Sequence, residues 1–126
     1  MFAKVVLIFF GLSFGGFGVW ALIAPASLAK LVHFSLDTPG AMTEIRAFYG
    51  GLEIGFAAFL IAAAFVRPLV PGALLALVAI AGGIALARLV GIVVDGSGST
   101  FMYSALVWEL AGAGLGLLAW LQVDHG

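Results

Sequence analysis

Four charged residues, Arg46, Glu53, Arg88 and Glu109, interrupt stretches that are otherwise apolar enough to cross a bilayer. A lone charge at the centre of a membrane helix costs about 2.5–3.5 kcal/mol on insertion scales. Two arginines and two glutamates left unpaired would therefore cost on the order of 10 kcal/mol, comparable to the net stability of a whole domain. They must meet one another, water or a ligand. Carboxylates and guanidinium groups in a water-poor interior can hold one another as ion pairs. They can also bind a polar headgroup or exchange protons, and intramembrane ionisable residues of this kind mark functional sites by default.

The chemistry needs elements that hold these groups at one depth. The chain has 126 residues, is 64% hydrophobic and only 9% charged, and has a mean hydropathy of +1.27. Soluble domains average about 25% charged residues, and small ones bury only about two-thirds of the surface their unfolded chains expose. Lipid must therefore be the solvent for much of this surface. The length suits one domain, residues 1–126. The net charge of −1 leaves no basic face for nucleic acid. Cysteine is absent, which excludes disulfides, thiolate metal sites and cysteine catalysis.

Four segments reach the roughly 20 helical residues needed to span the hydrocarbon core. They run over about 2–24, 43–66, 69–94 and 101–123. A signal peptide is the other reading of the first, but its apolar run is long and carries Gly11, Gly15, Gly16 and Gly18, which suit helix packing. Arg67-Pro68-Leu69-Val70-Pro71-Gly72 reads as a tight turn, and 95–100 as a polar Gly/Ser loop in which Ser99 or Thr100 caps the last helix. Such short links predict antiparallel neighbours for helices two, three and four. Segment 25–42 reads as a short interfacial helix with Leu28, Leu31 and Val32 on one face, or as a surface loop of incidental amphipathicity. Asp37-Thr38-Pro39-Gly40 reads as a turn. The fold class is thus an all-α membrane protein, an antiparallel four-helix bundle. With Arg46 counted as part of helix two, Lys4 and Arg67 on one side against Lys30 on the other favour, by one residue, a multi-pass inner-membrane protein with both termini in the cytoplasm.

At 1.5 Å per residue, Arg46, Glu53, Arg88 and Glu109 lie about 5, 15, 9 and 12 Å from the same end of their helices. All four therefore fall in one leaflet. Arg46 and Glu53 are seven apart, so an α-helix would return them to one face, with Tyr49 and Gly50 between. The quartet sums to zero charge. The functional reading is a polar pocket of Arg46, Tyr49, Glu53, Arg88 and Glu109, roofed by 25–42, in which the arginines take an acidic or carbonyl-bearing group. His33, Tyr103 and Trp108 stand as candidates for its mouth. The structural reading is a salt-bridge network that sets helix register and binds nothing. Glu44 and Asp95 belong to helix ends. His33 and His125 lie outside the spans, so neither a haem nor a metal site is indicated. The pairs Gly11/Gly15, Gly51/Gly55 and Gly112/Gly116 permit close helix approach, within one subunit or between subunits.

The run Thr43-Glu44-Ile45-Arg46-Ala47-Phe48-Tyr49-Gly50-Gly51-Leu52-Glu53, with Ala87-Arg88-Leu89-Val90-Gly91 and Glu109, resembles the bacterial domain-of-unknown-function family 4345. These are small four-span membrane proteins related to the DoxX-like group. The resemblance covers nearly the whole chain. It implies a four-helix membrane bundle with Arg46, Tyr49, Gly50, Gly51, Arg88 and Glu109 as family positions, and it brings no activity. DoxX-like relatives are associated with quinone-linked oxidation, an analogy that does not assign function.

Three functional classes follow. The first is binding of a small amphipathic molecule (a lipid, quinone or isoprenoid) alongside membrane lipids, with no other cofactor. The second is an accessory subunit of a homo-oligomer or larger membrane complex. The third is an enzyme on a lipophilic substrate with Glu53 or Glu109 as general acid/base. No nucleophile elbow, phosphate loop or metal motif supports the third further.

Overall fold

The computed structural model describes residues 1–125, all helix and connecting loop. The helices are α1 Phe2–Ile23, α2 Pro25–Val32, α3 Pro39–Ile45, α4 Leu52–Ala63, α5 Val70–Asp95 and α6 Thr100–Gln122. A π-helical turn, Arg46–Gly51, joins α3 to α4 without a break, and a 3₁₀ turn, Arg67–Leu69, leads into α5. Four helical stretches are long and apolar enough to cross a membrane, with α3, the π turn and α4 together forming the second, Pro39–Ala63.

Local chemistry explains the boundaries. The second span begins four residues before the expected Thr43, because Thr38 caps it. The Thr38 Oγ1 accepts from the Ala41 N–H at 3.1 Å and Pro39 occupies the first turn, where no N–H is needed. Asp37-Thr38-Pro39-Gly40 is thus a helix start rather than a free turn. The same span stops at Ala63 rather than Val66. The reversal is made over 64–69, so Pro71 falls in the first turn of α5. Ser99 caps α6, its Oγ accepting from the Met102 N–H at 3.2 Å, and Gly96 closes α5 in the left-handed region at φ 63°.

Segment 25–42 contains a true helix, α2. It buries Pro25, Leu28, Ala29 and Val32, while Leu31 turns outward beside Lys30. Leu31 therefore does not belong to the buried face; the i, i+3, i+4 stripe runs through Ala29 instead. His33 ends α2 in the left-handed conformation, and the Phe34 N–H bonds back to the Ala29 carbonyl at 2.7 Å.

Around the bundle, α1 packs along α4 and the π turn, α5 packs along α6, and α1 also meets α6. The second and third spans are neighbours in sequence yet meet only sparsely. Glycines decide this arrangement. A Cβ at Gly11 would lie 2.7 Å from Ile61 Cγ1, and one at Gly18 would lie 2.9 Å from Ile54 Cγ1 and 3.0 Å from the Gly50 carbonyl. Here α1 and the second span approach to backbone contact. Gly112 and Gly116 likewise receive Phe10 with Ala81, and Val78 with Leu77. Gly51 and Gly55 do not join a close crossing.

The buried side chains form two clusters. One, around Leu7, Phe10, Phe14, Leu60, Leu74 and Leu77, fills the half near the termini. The other, Ala21, Leu28, Ala29, Val32 and Ile45, seals α2 and α3 over the opposite end. Between them, where α4 and α5 part, the bundle is hollow.

Candidate functional site

The hollow is a cavity of about 1160 Å³. Its floor is aromatic: Phe14 and Trp108 meet at 4.8 Å between ring centroids, and Phe14 and Phe56 at 5.0 Å, both edge-on. Tyr49 and Phe34 form the wall below α2, with centroids 5.8 Å apart. The α5 wall is built from small and aliphatic residues, including Ala79, Ile80 and Gly83. A Cβ at Gly83 would meet nothing within 4 Å, so this wall faces open space.

Two helices bring the cavity its fixed ion pair. Arg88 on α5 reaches Glu109 on α6 with Nε 3.1 and 3.0 Å from the two carboxylate oxygens and Nη2 2.7 Å from Oε1. The Arg88 side chain is 22% exposed and that of Glu109 is 4% exposed. This is the forked, charge-assisted geometry that offsets desolvation of both partners. The Arg88 guanidinium also lies 5.9 Å from the Phe101 ring centroid.

Glu53 is placed differently. It lines the same cavity from α4, and its Oε2 is buried without a hydrogen-bond partner, the one such side-chain atom among the described residues. Buried acceptors are nearly always satisfied, by protein or by water, so this oxygen is the polar atom of the wall that is open to a partner in the cavity.

Of the residues expected at the site, Tyr49, Glu53, Arg88, Glu109 and Trp108 line the cavity. Arg46 does not. It is exposed and points away, and the reason is the π turn. The Leu52 N–H bonds to the carbonyl of Ala47, five residues back, so the turn takes in an extra residue. Each residue of the wider turn rotates the chain by less than it would in an α-helix, so seven residues that would return to one α-helical face fall short of it here. With Arg46 outside, the buried layer is not a neutral quartet; it holds one arginine and two glutamates. His33 and Tyr103 do not line the cavity either. His33 lies in a shallower groove with Ser35, Leu36 and Glu44, and Tyr103 is exposed and packs over Gly98. Phe34, Phe48 and Tyr49 border both groove and cavity.

Sequence reasoning missed the aromatic floor. Phe14 and Phe17 on α1 carried a signal, three apart on a helix that also buries Gly11 and Gly18, but aromatics in an apolar span ordinarily read as packing.

A family model described as a domain of unknown function, DUF4345, matches residues 2–120. The chain belongs to the DUF4345 family. Comparison with curated proteins and with solved structures gives no match. The DUF4345 match takes in every residue that lines the cavity, from Phe14 on α1 to Glu109 on α6.

Proposed function

We propose that this membrane protein binds a small amphipathic or lipophilic molecule in the cavity between α4, α5 and α6. The observation that carries the reading is the unpartnered Oε2 of Glu53 in the wall of an otherwise largely apolar hollow. Ligand sites are typically concave, mostly apolar and furnished with a few polar groups that orient the occupant. The volume suits a lipid-sized molecule, and the sparse α4–α5 seam gives it a route from the bilayer. We place the protein in the bacterial inner membrane with both termini in the cytoplasm, on the Lys4 and Arg67 side.

Native mass spectrometry of protein released from its own membranes in mild detergent tests the reading. Wild type is set beside Glu53→Gln, which keeps the shape of the side chain, and Gly83→Phe, which fills the open wall. A defined small-molecule adduct on wild type, weakened in both variants, is the expected result. No adduct, or an adduct indifferent to both changes, would overturn it.

A second reading rests on another surface. Ala47, Gly51, Gly55, Ala58 and Ala62 are all exposed and recur every three or four residues along the second span. Small residues at this spacing pair helices in membranes. This stripe favours a homo-oligomer or a subunit role in a larger complex, and it is compatible with an occupied cavity.

A further inference from the structure

We infer that the polar head of the occupant is uncharged and both donates and accepts hydrogen bonds, as a hydroxyl does, rather than being a carboxylate or phosphate. The inference rests on the proposed binding function and names its ligand class. Its basis is the charge count that the π turn creates. Of the chain's five Lys and Arg residues, Arg88 alone lines the cavity. Its charge is already matched, because Nε and Nη2 are committed to Glu109. An acidic head would therefore find no free cation. It would add a second unbalanced negative charge beside Glu53 if that carboxyl is ionised, and a first if it carries its proton. In a low-dielectric cavity either is costly.

A hydroxyl-bearing head meets both sides of the site. Among the described residues the Arg88 Nη1 makes no hydrogen bond, and it offers N–H donors to an acceptor oxygen. Glu53 Oε2 lacks a partner among the described residues and accepts a hydrogen bond from the hydroxyl, or, when protonated, donates one to the hydroxyl oxygen. The apolar remainder of the occupant lies against Phe14, Phe56, Ile80 and Trp108. The expectation was that two arginines would hold an acidic or carbonyl-bearing group; the inference drops its acidic half, which needed Arg46 inside.

The test uses two probes with matched chains, 1-dodecylglycerol and dodecanoate, added to purified protein in nanodiscs of zwitterionic lipid. Binding is read from Trp108 emission with Trp20 and Trp120 replaced by Phe. The glycerol ether is expected to bind at least about tenfold more tightly than the acid, the step set by one good hydrogen bond to a charged group. Glu53→Gln should narrow that preference by weakening the ether and sparing the acid. Equal or tighter binding of dodecanoate would overturn the inference and leave the binding function standing. Binding of neither probe, with no response to Gly83→Phe, would overturn both.

Discussion

Arg88 on α5 and Glu109 on α6 form a forked pair, Nη2 to Oε1 at 2.7 Å, in which Glu109 is almost wholly buried. The pair staples two helices that pack along one another. Breaking it from one side leaves a buried charge without its partner, at about 3–5 kcal/mol. Arg88→Gln and Glu109→Gln should each lower the thermal midpoint in detergent substantially. The double variant should recover much of the loss, because two amides can hydrogen-bond without stranding a charge. A double-mutant cycle with a coupling energy near zero would show that the contact does not hold the helices.

Glu53 should behave in the opposite sense. Its Oε2 has no partner to lose among the described residues, so replacing the side chain removes an unsatisfied acceptor from the interior. Such an acceptor costs about 1–3 kcal/mol. In delipidated protein, Glu53→Leu should raise the unfolding midpoint, with a gain in unfolding free energy of about 1–3 kcal/mol. The same variant should lose any bound molecule. Stability falling with Glu53→Leu would mean that the carboxyl is already satisfied, by ordered water or by a neighbour, in the emptied state.

Arg46 separates what the helix pattern conveyed from what the backbone imposed. Arg46→Gln should leave ligand retention by native mass spectrometry unchanged, while Glu53→Gln weakens it. A loss with Arg46→Gln equal to that with Glu53→Gln would place the arginine in the cavity and contradict the π turn.

The spans themselves were legible, because apolar length alone defines them and because Pro68 and the Gly/Ser loop fix the links. The depth rule put Arg88 and Glu109 at one level but left the pairing within the quartet open; the structure supplies the pair, on two helices joined by a short loop. Arg46 was misplaced for a physical reason. A seven-residue spacing implies one face only while the hydrogen bonds stay at i, i+4, and nothing in a hydropathy pattern announces a switch to i, i+5. The Gly50-Gly51 pair was the available clue. Gly50 lies against Leu22 and the Gly18 carbonyl, so close approach to α1 accompanies the distorted backbone. The open α4–α5 seam was equally hidden. Short links imply neighbours, but they do not say that glycines on α1 draw the second span away from the third.

Those glycines give a prediction in which one substitution has two outcomes. Gly18→Ala places a Cβ 3.0 Å from the Gly50 carbonyl and 2.9 Å from Ile54. Backbone cannot yield as a side-chain tip can, and overpacking of this kind costs about 1–3 kcal/mol. Gly55→Ala meets nothing within 4 Å and should be neutral in an isolated monomer. Thermal unfolding of the two variants compares them directly. If Gly55→Ala proves as damaging as Gly18→Ala, the exposed small-residue stripe is packed against another helix. Cross-linking would then show whether that helix comes from a second copy.

The orientation can be settled because the native chain has no cysteine to confuse a labelling experiment. Two single-cysteine variants report on opposite ends of the bundle. Ser97→Cys lies in the exposed loop between α5 and α6, on the side sealed by α2. Val66→Cys is exposed beside Arg67, on the side of both termini. That side also carries Lys4, whose ammonium lies 4.3 Å from the Phe65 ring centroid. The proposed orientation rests on Lys4 and Arg67 beside the termini against Lys30 at the other end, with Arg46 counted in the second span. In intact spheroplasts a membrane-impermeant maleimide should label Ser97→Cys and spare Val66→Cys until the membrane is opened. The reverse pattern would invert the protein and place the α2 roof of the cavity, with its Glu53 site, in the cytoplasmic leaflet. A ligand reaching Glu53 would then be drawn from the inner leaflet instead of the outer, so the labelling also decides from which leaflet the occupant is taken.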